Sequence, residues 1–204
     1  MHRLFVSFVS LAVVLAMQCS AADSSSGYVL LDDTATQLRE DFNRAKGSVR
    51  LLFVIDPTCP GCLRGLEELN ETLLSKTHDP RLQTFIVHVP VLESEAKDVA
   101  PVMKRVQNAS VRHYWNPSGA FGDQLGQALG LRHGDEAVYA WDVWLAYDAD
   151  ASWDEALAPR PWLFMHQLYW LLGNEEFRGL DTDAFAAEVR QLLAQLPAAA
   201  DTAR

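Results

Sequence analysis

Cysteine is scarce in this sequence, with three in 204 residues, at positions 19, 59 and 62. So few cannot form the dense disulfide framework of a small secreted domain. Positive charge is also short: 17 Lys+Arg stand against 27 Asp+Glu, for a formal net charge of −10. That balance argues against a nucleic-acid partner and against electrostatic adhesion to anionic lipid. Long apolar runs are confined to Leu4–Met17, which falls short of the ~20 residues of a membrane span. No internal repeat is visible. The six histidines show no companion spacing of the H-x-x-x-H kind, so a structural zinc site lacks ligands.

Met1–Ala22 has the layout of a targeting segment. Arg3 supplies the positive region, Leu4–Met17 the apolar region, and Ser20-Ala21-Ala22 a small-x-small cleavage site. Retention of this segment as an uncleaved anchor is the alternative. Met17 and Gln18 occupy the places before Cys19 where lipid attachment wants a small residue, so Cys19 is expected to leave with the leader. The chain expected after cleavage near Ala22 is periplasmic or secreted and has no stable membrane span. It keeps two cysteines. A flexible stretch over 23–32, a domain over 33–196 and a tail over 197–204 complete the expected organisation.

The most informative stretch is Val49–Cys62. Val49 to Ile55 is a short apolar, β-branched run stopped by Asp56-Pro57, the pattern of a strand covered on both faces. Pro60 suits the first position of a helix. Leu63, Leu66, Leu69, Leu73 and Leu74 then recur at helical spacing up to a stop at His78-Asp79-Pro80. Cys59 therefore falls at the N-cap, where unpaired N–H groups and the positive end of the helix dipole favour a thiolate. Cys62 lies one turn further on the same face, close enough to close a disulfide ring. Gly61 offers no side chain to block an approaching partner. The layout is that of an attacking thiolate at Cys59 and a resolving thiol at Cys62, and it requires Cys59 to be exposed with Cys62 behind it.

Strand, Cys59-Pro60-Gly61-Cys62 and following helix together resemble the thioredoxin superfamily. The resemblance implies a three-layer α/β/α sandwich around a central mixed sheet, with Cys59 forming a mixed disulfide and Cys62 resolving it. It implies no cofactor. The segment at about 91–135 resembles the insertion of peroxiredoxin-like and cytochrome-maturation thioredoxin-like proteins. Three family features are replaced. The proline usual just before the penultimate strand would fall near Ala140-Trp141, but no proline occurs from Ser118 to Ala158. Thr58 stands for the tryptophan before the first cysteine. Phe53 stands for the buried acid of the central strand, with Asp56 as the nearest carboxylate that could substitute.

Elsewhere the spacing predicts a helix from Asp33–Gln37 to Gly47 and a strand over Leu82–Val89. A helix follows within Glu93–Asn108, started or kinked at Pro101, then a strand at Ser110–Trp115 and a glycine-weakened helix over Ala120–Leu131. Trp141–Tyr147 reads as a strand. Trp162–Leu168 reads either as its antiparallel partner or as a helix, because short apolar runs are ambiguous by period. An alternative alignment takes Pro161 as the missing family proline. Asp181 caps a last helix with a Phe185, Val189, Leu192, Leu193, Leu196 stripe. His113 and His166 are candidates for a supplementary base near Cys59, and the tryptophans of the second half could line a groove or fill the core.

The expected function is an exported thiol–disulfide oxidoreductase acting on a protein thiol or disulfide partner. Two alternatives use the same cysteines: a copper-type soft-metal binding or relay module, and a noncatalytic domain with a structural disulfide.

Overall fold

The computed structural model describes residues 27–106, 108–172 and 178–197; the leader, Cys19 and most of the C-terminal tail lie outside them. In order, the chain forms β1 (Val29–Leu30), α1 (Thr36–Arg44), β2 (Val49–Ile55), α2 (Pro60–Leu69), β3 (Leu82–His88) and α3 (Ala96–Met103). It continues with β4 (Val111–Trp115), α4 (Ala120–Leu129), a small hairpin of β5 (Arg132–His133) and β6 (Glu136–Ala137), and β7 (Val143–Tyr147). β8 (Leu163–His166), α5 (Tyr169–Leu172), β9 (Arg178–Gly179) and α6 (Thr182–Gln195) complete it.

One seven-stranded sheet runs in the order β1-β4-β3-β2-β7-β8-β9. β2, β3 and β4 are parallel, β7 returns antiparallel to β2, and β8 antiparallel to β7. Leu51, Phe53 and Ile55 of β2 pack with Leu66, Leu69, Phe185 and Val189 of α2 and α6 on one face. Leu52 and Val54 pack with Leu38 and Phe42 of α1 and Leu125 of α4 on the other. The period-2 alternation of a strand thus feeds two cores, and all seven residues of β2 are buried, which is why the run reads as continuously apolar. This is a thioredoxin-like α/β/α sandwich with a mixed sheet.

Several expectations change in detail. Val29–Leu30, inside the stretch expected to be flexible, pairs in parallel with Tyr114 and Trp115, because β4 offers an open sheet edge there. The segment at 91–135 is integral to the sheet, since β4 lies between β3 and β1. α2 passes at Asn70 into a turn of π-helix ending at Leu74. Thr72 Oγ1 donates to the Glu68 carbonyl, and the Ser75 amide and hydroxyl both donate to Asn70 O, while Leu73 and Leu74 both stay buried. The helical reading of 162–168 is overturned: Leu163–His166 pairs residue for residue with Ala146–Val143, which buries Met165 beside Phe53 and Trp144. With Leu163–His166 placed between β7 and β9, Pro161 does not occupy the family proline's place. That place precedes β7.

The glycines that weaken α4 have a structural reason. A Cβ on Gly126 would lie 2.1 Å from the Val138 carbonyl oxygen, and one on Gly122 would meet the Tyr139 ring. The chain at 138–140 lies directly on the helix, fixed by the Ala140 amide donating to Gly122 O at 2.9 Å. Backbone cannot rotate away as a side chain can. Gly126→Ala is therefore expected to destabilise the fold by ~2–3 kcal/mol in denaturant unfolding, and an unchanged midpoint would contradict this packing.

Candidate active site

The site is built where β2 ends. Asp56 Oδ1 accepts from the Thr58 amide and hydroxyl, both at 2.7 Å, while Oδ2 accepts from the Leu92 amide at 2.7 Å and Ser94 Oγ at 3.1 Å. One buried carboxylate thus ties the Pro57–Thr58 turn to the loop after β3. Asp56, the acid nearest the motif, is an architectural group with both oxygens committed.

The turn delivers Cys59 to the N-cap of α2 with Pro60 at its first position, and the Cys59 sulfur accepts from the Cys62 amide at 3.2 Å. Both cysteines are free thiols. The Cys59 thiol is pulled down to about 6, first by the Cys62 thiol donating to it and then by the Cys62 and Gly61 amides, against burial and the Asp56 charge. Cys62 moves strongly the other way: burial leads, followed by its bond to Cys59 and the charges of Asp142 and Cys59. The two sulfurs are chemically distinct.

The expected exposure of Cys59 is not met: it is buried, at 6% exposed against 0% for Cys62. A Cβ at Gly61 would lie 3.4 Å from Asp142 Oδ2 and 3.7 Å from Cys59 Sγ, so the bare glycine borders Cys59 and the acid that helps enclose it.

That acid is the residue the sequence did not disclose. Asp142 immediately precedes β7, and its carboxylate and the two cysteine sulfurs all lie within 4.8 Å of one another. It is 2% exposed and adopts φ +52°, a left-handed backbone unusual outside glycine. Its carbonyl accepts from the Gln167 amide at 3.0 Å. Burial first and the Cys59 charge second push its carboxyl up to about 7, partly offset by the Cys62 thiol and by Arg64. A soft ion on this donor set would require Cys62 to ionise, which burial and Asp142 oppose.

Neither candidate histidine joins the cluster. His113 faces His88 across neighbouring strands, with His88 Nε2 and His113 Nδ1 3.0 Å apart. His166 Nδ1 accepts from the Leu168 amide at 3.0 Å, and its ring lies against Phe164 and Tyr169. Strand pairing decides both positions. Burial depresses His113 to about 4, and burial with the neighbouring His113 puts His88 well below its ordinary value. The unfolded chain therefore takes up protons below about pH 6.5 while the folded pair does not, so stability falls as pH drops from 6.5 towards 4. His113 alone is expected to contribute a loss on the order of 3 kcal/mol across that window, with His88 adding in the same direction. Denaturant unfolding at several pH values should show it, reduced in His113→Gln, where buried His88 remains; an equal loss in that variant would contradict the assignment. Of the tryptophans, Trp115, Trp144 and Trp153 are core, whereas Trp162 and Trp170 are exposed and Trp141 packs against Trp170 at 6.4 Å.

No protein-family model matches the chain. No curated protein matches it either. Among solved structures, it is similar to a secreted Mycobacterium tuberculosis disulfide oxidoreductase homologous to E. coli DsbE, at 12% identity over 72% of this chain and 84% of that one, TM-score 0.44. It is similar to a SCO1/SenC family lipoprotein from Bacillus anthracis str. Ames at 9% identity over 74% and 84%, TM-score 0.44. A thioredoxin family thiol:disulfide interchange protein from Chlorobium tepidum TLS is similar at 14% over 74% and 83%, TM-score 0.43. The fold class rests on strand order and register rather than on these likenesses. The chain thus has a thioredoxin-like fold that carries a close Cys-x-x-Cys pair.

Proposed function

We propose that this protein is an exported thiol–disulfide oxidoreductase. The observation that carries the reading is the asymmetry of the pair, with Cys59 held towards its thiolate at the helix tip and Cys62 kept protonated behind it. The Cys59 thiolate attacks a partner disulfide, forming a Cys59–partner disulfide and releasing one partner thiolate, which takes a proton from water. Cys62 then attacks Cys59 Sγ, closing the Cys59–Cys62 disulfide and releasing the second partner thiol. Two electrons pass to the partner, and a dithiol protein restores the reduced pair. Run backwards, the same steps oxidise a partner dithiol.

The partner is a protein thiol or disulfide; the net charge of −10 argues against nucleic acid. Export to a periplasmic or secreted location rests on the leader layout of residues 1–22. The functional unit is the domain at 33–196 together with the β1 strand Val29–Leu30, and β4, within the segment at about 91–135, belongs to its sheet. Equilibration in defined thiol–disulfide buffers tests the reading. One reversible two-electron transition, lost in Cys59→Ser and in Cys62→Ser, is expected. A disulfide reducible only on unfolding would assign the pair a structural role. Stoichiometric Cu(I) retention without a redox transition would assign it to metal relay.

A further inference from the structure

We propose that Asp142 is the catalytic proton acceptor for Cys62 when the mixed disulfide is resolved. This rests on the oxidoreductase reading and adds a residue to it. The Asp142 carboxylate and the sulfurs of Cys59 and Cys62 form one buried cluster within 4.8 Å. Asp142 Oδ1 is buried without a donor in hydrogen-bonding geometry, and the Cys62 thiol and the Trp144 indole N–H are the donors whose influence its carboxyl feels. The residue keeps a left-handed backbone without being glycine, at a cost in energy that persists only where the surroundings enforce it. The enforcement is visible: the Gln167 amide holds the Asp142 carbonyl, and Val143 pairs with Val54 of β2 and with His166 of β8.

The other titratable groups near the pair are accounted for. Asp56, beyond β2, is committed to four donors. His166, on β8, is occupied by the Leu168 amide, and His113 faces His88. Arg64, on α2, contributes only a moderating positive charge to Asp142. Among the described residues, Asp142 is the carboxylate placed against both sulfurs. In the reduced protein burial and the Cys59 charge raise its carboxyl to about 7. Once Cys59 is joined to a partner, burial alone still holds it above the ordinary carboxylate range, where it can exchange a proton.

In the step itself, the Cys62 S–H bond breaks as its proton moves to Asp142, and the Cys62 sulfur forms its bond to Cys59 Sγ. The Cys59–partner bond breaks, and the proton on Asp142 passes to the departing partner thiolate or, where that thiolate stays ionised, to water. Asp142 finishes as it began. Joining Cys59 to a partner also removes the Cys59 charge that faces Asp142 and Cys62, which eases ionisation of Cys62 at the stage when it must attack.

Ellman's disulfide tests this, because its two coloured thiolates are released one per step. With wild-type reduced protein, two releases are expected in sequence. In Asp142→Asn the first release should not be slowed, while the second is slowed by ~100-fold and loses its pH dependence near neutrality. Asp142→Gly, which also tolerates positive φ, should behave the same way, separating the carboxylate from the turn geometry. A second release of wild-type rate and pH profile in Asp142→Asn would overturn the proposal while leaving the oxidoreductase reading intact. No first release from the wild-type protein would remove that reading and this proposal together.

Discussion

Cys62→Ser protein mixed with a disulfide substrate should accumulate a stable adduct on Cys59, and Cys59→Ser should form none. Resolution needs a sulfur behind Cys59 Sγ, and the buried Cys62 is the sulfur placed there. A serine hydroxyl keeps the backbone N–H that donates to Cys59 but cannot displace a thiolate from sulfur. Turnover in both variants should fall to the uncatalysed background. Intact-mass measurement under non-reducing conditions reads the adduct directly. An adduct on Cys62 rather than Cys59, in Cys59→Ser, would reverse the roles assigned to the pair.

The largest stability loss is expected far from the cysteines. Arg50 is fully buried near the start of β2, with its guanidinium 4.4 Å from the Phe42 ring centroid. It donates to the carbonyls of Phe42, Asp148 and Ala151, and thereby fastens α1 to the turn after β7. Arg50→Ala strips the donor from three carbonyls, at ~1–3 kcal/mol for each left unsatisfied, and opens a cavity. Water entering that cavity recovers part of this, so the expected loss is ~4 kcal/mol, or a Tm lower by about 8–16 °C in a chain of this size. Arg50→Met fills the volume without the donors and should lose roughly half as much. A loss below ~1 kcal/mol in Arg50→Ala would show that these contacts do not hold the two elements together.

What the sequence disclosed was local. The apolar run Val49–Ile55 and its Asp56-Pro57 stop marked the central strand, and Pro60 after Cys59 marked the helix start that sets the cysteine chemistry. Residues 162–168 carried no such punctuation. Their apolar run suits either period, and pairing with Val143–Ala146 settled the choice. Asp142 was illegible for a related reason. It reaches Cys59 and Cys62 only because β7 lies antiparallel to β2, in a register that sets Val143 opposite Val54. The one available signal was an acid heading an apolar strand where the family carries proline. Asp56 looked like the better substitute because it is adjacent in sequence, but half of its donors come from Leu92 and Ser94. His113 was likewise claimed by His88 across a parallel strand pair that no local pattern announces.

Everything chemical here depends on Cys59 being a thiolate near neutral pH. Following thiolate absorbance against pH in the reduced protein, with Cys59→Ser as the blank, measures that directly. The expected midpoint is about 6. A midpoint near the ~8.5 of an ordinary cysteine would contradict the account, because the helix tip and Cys62 would then not be stabilising the charge.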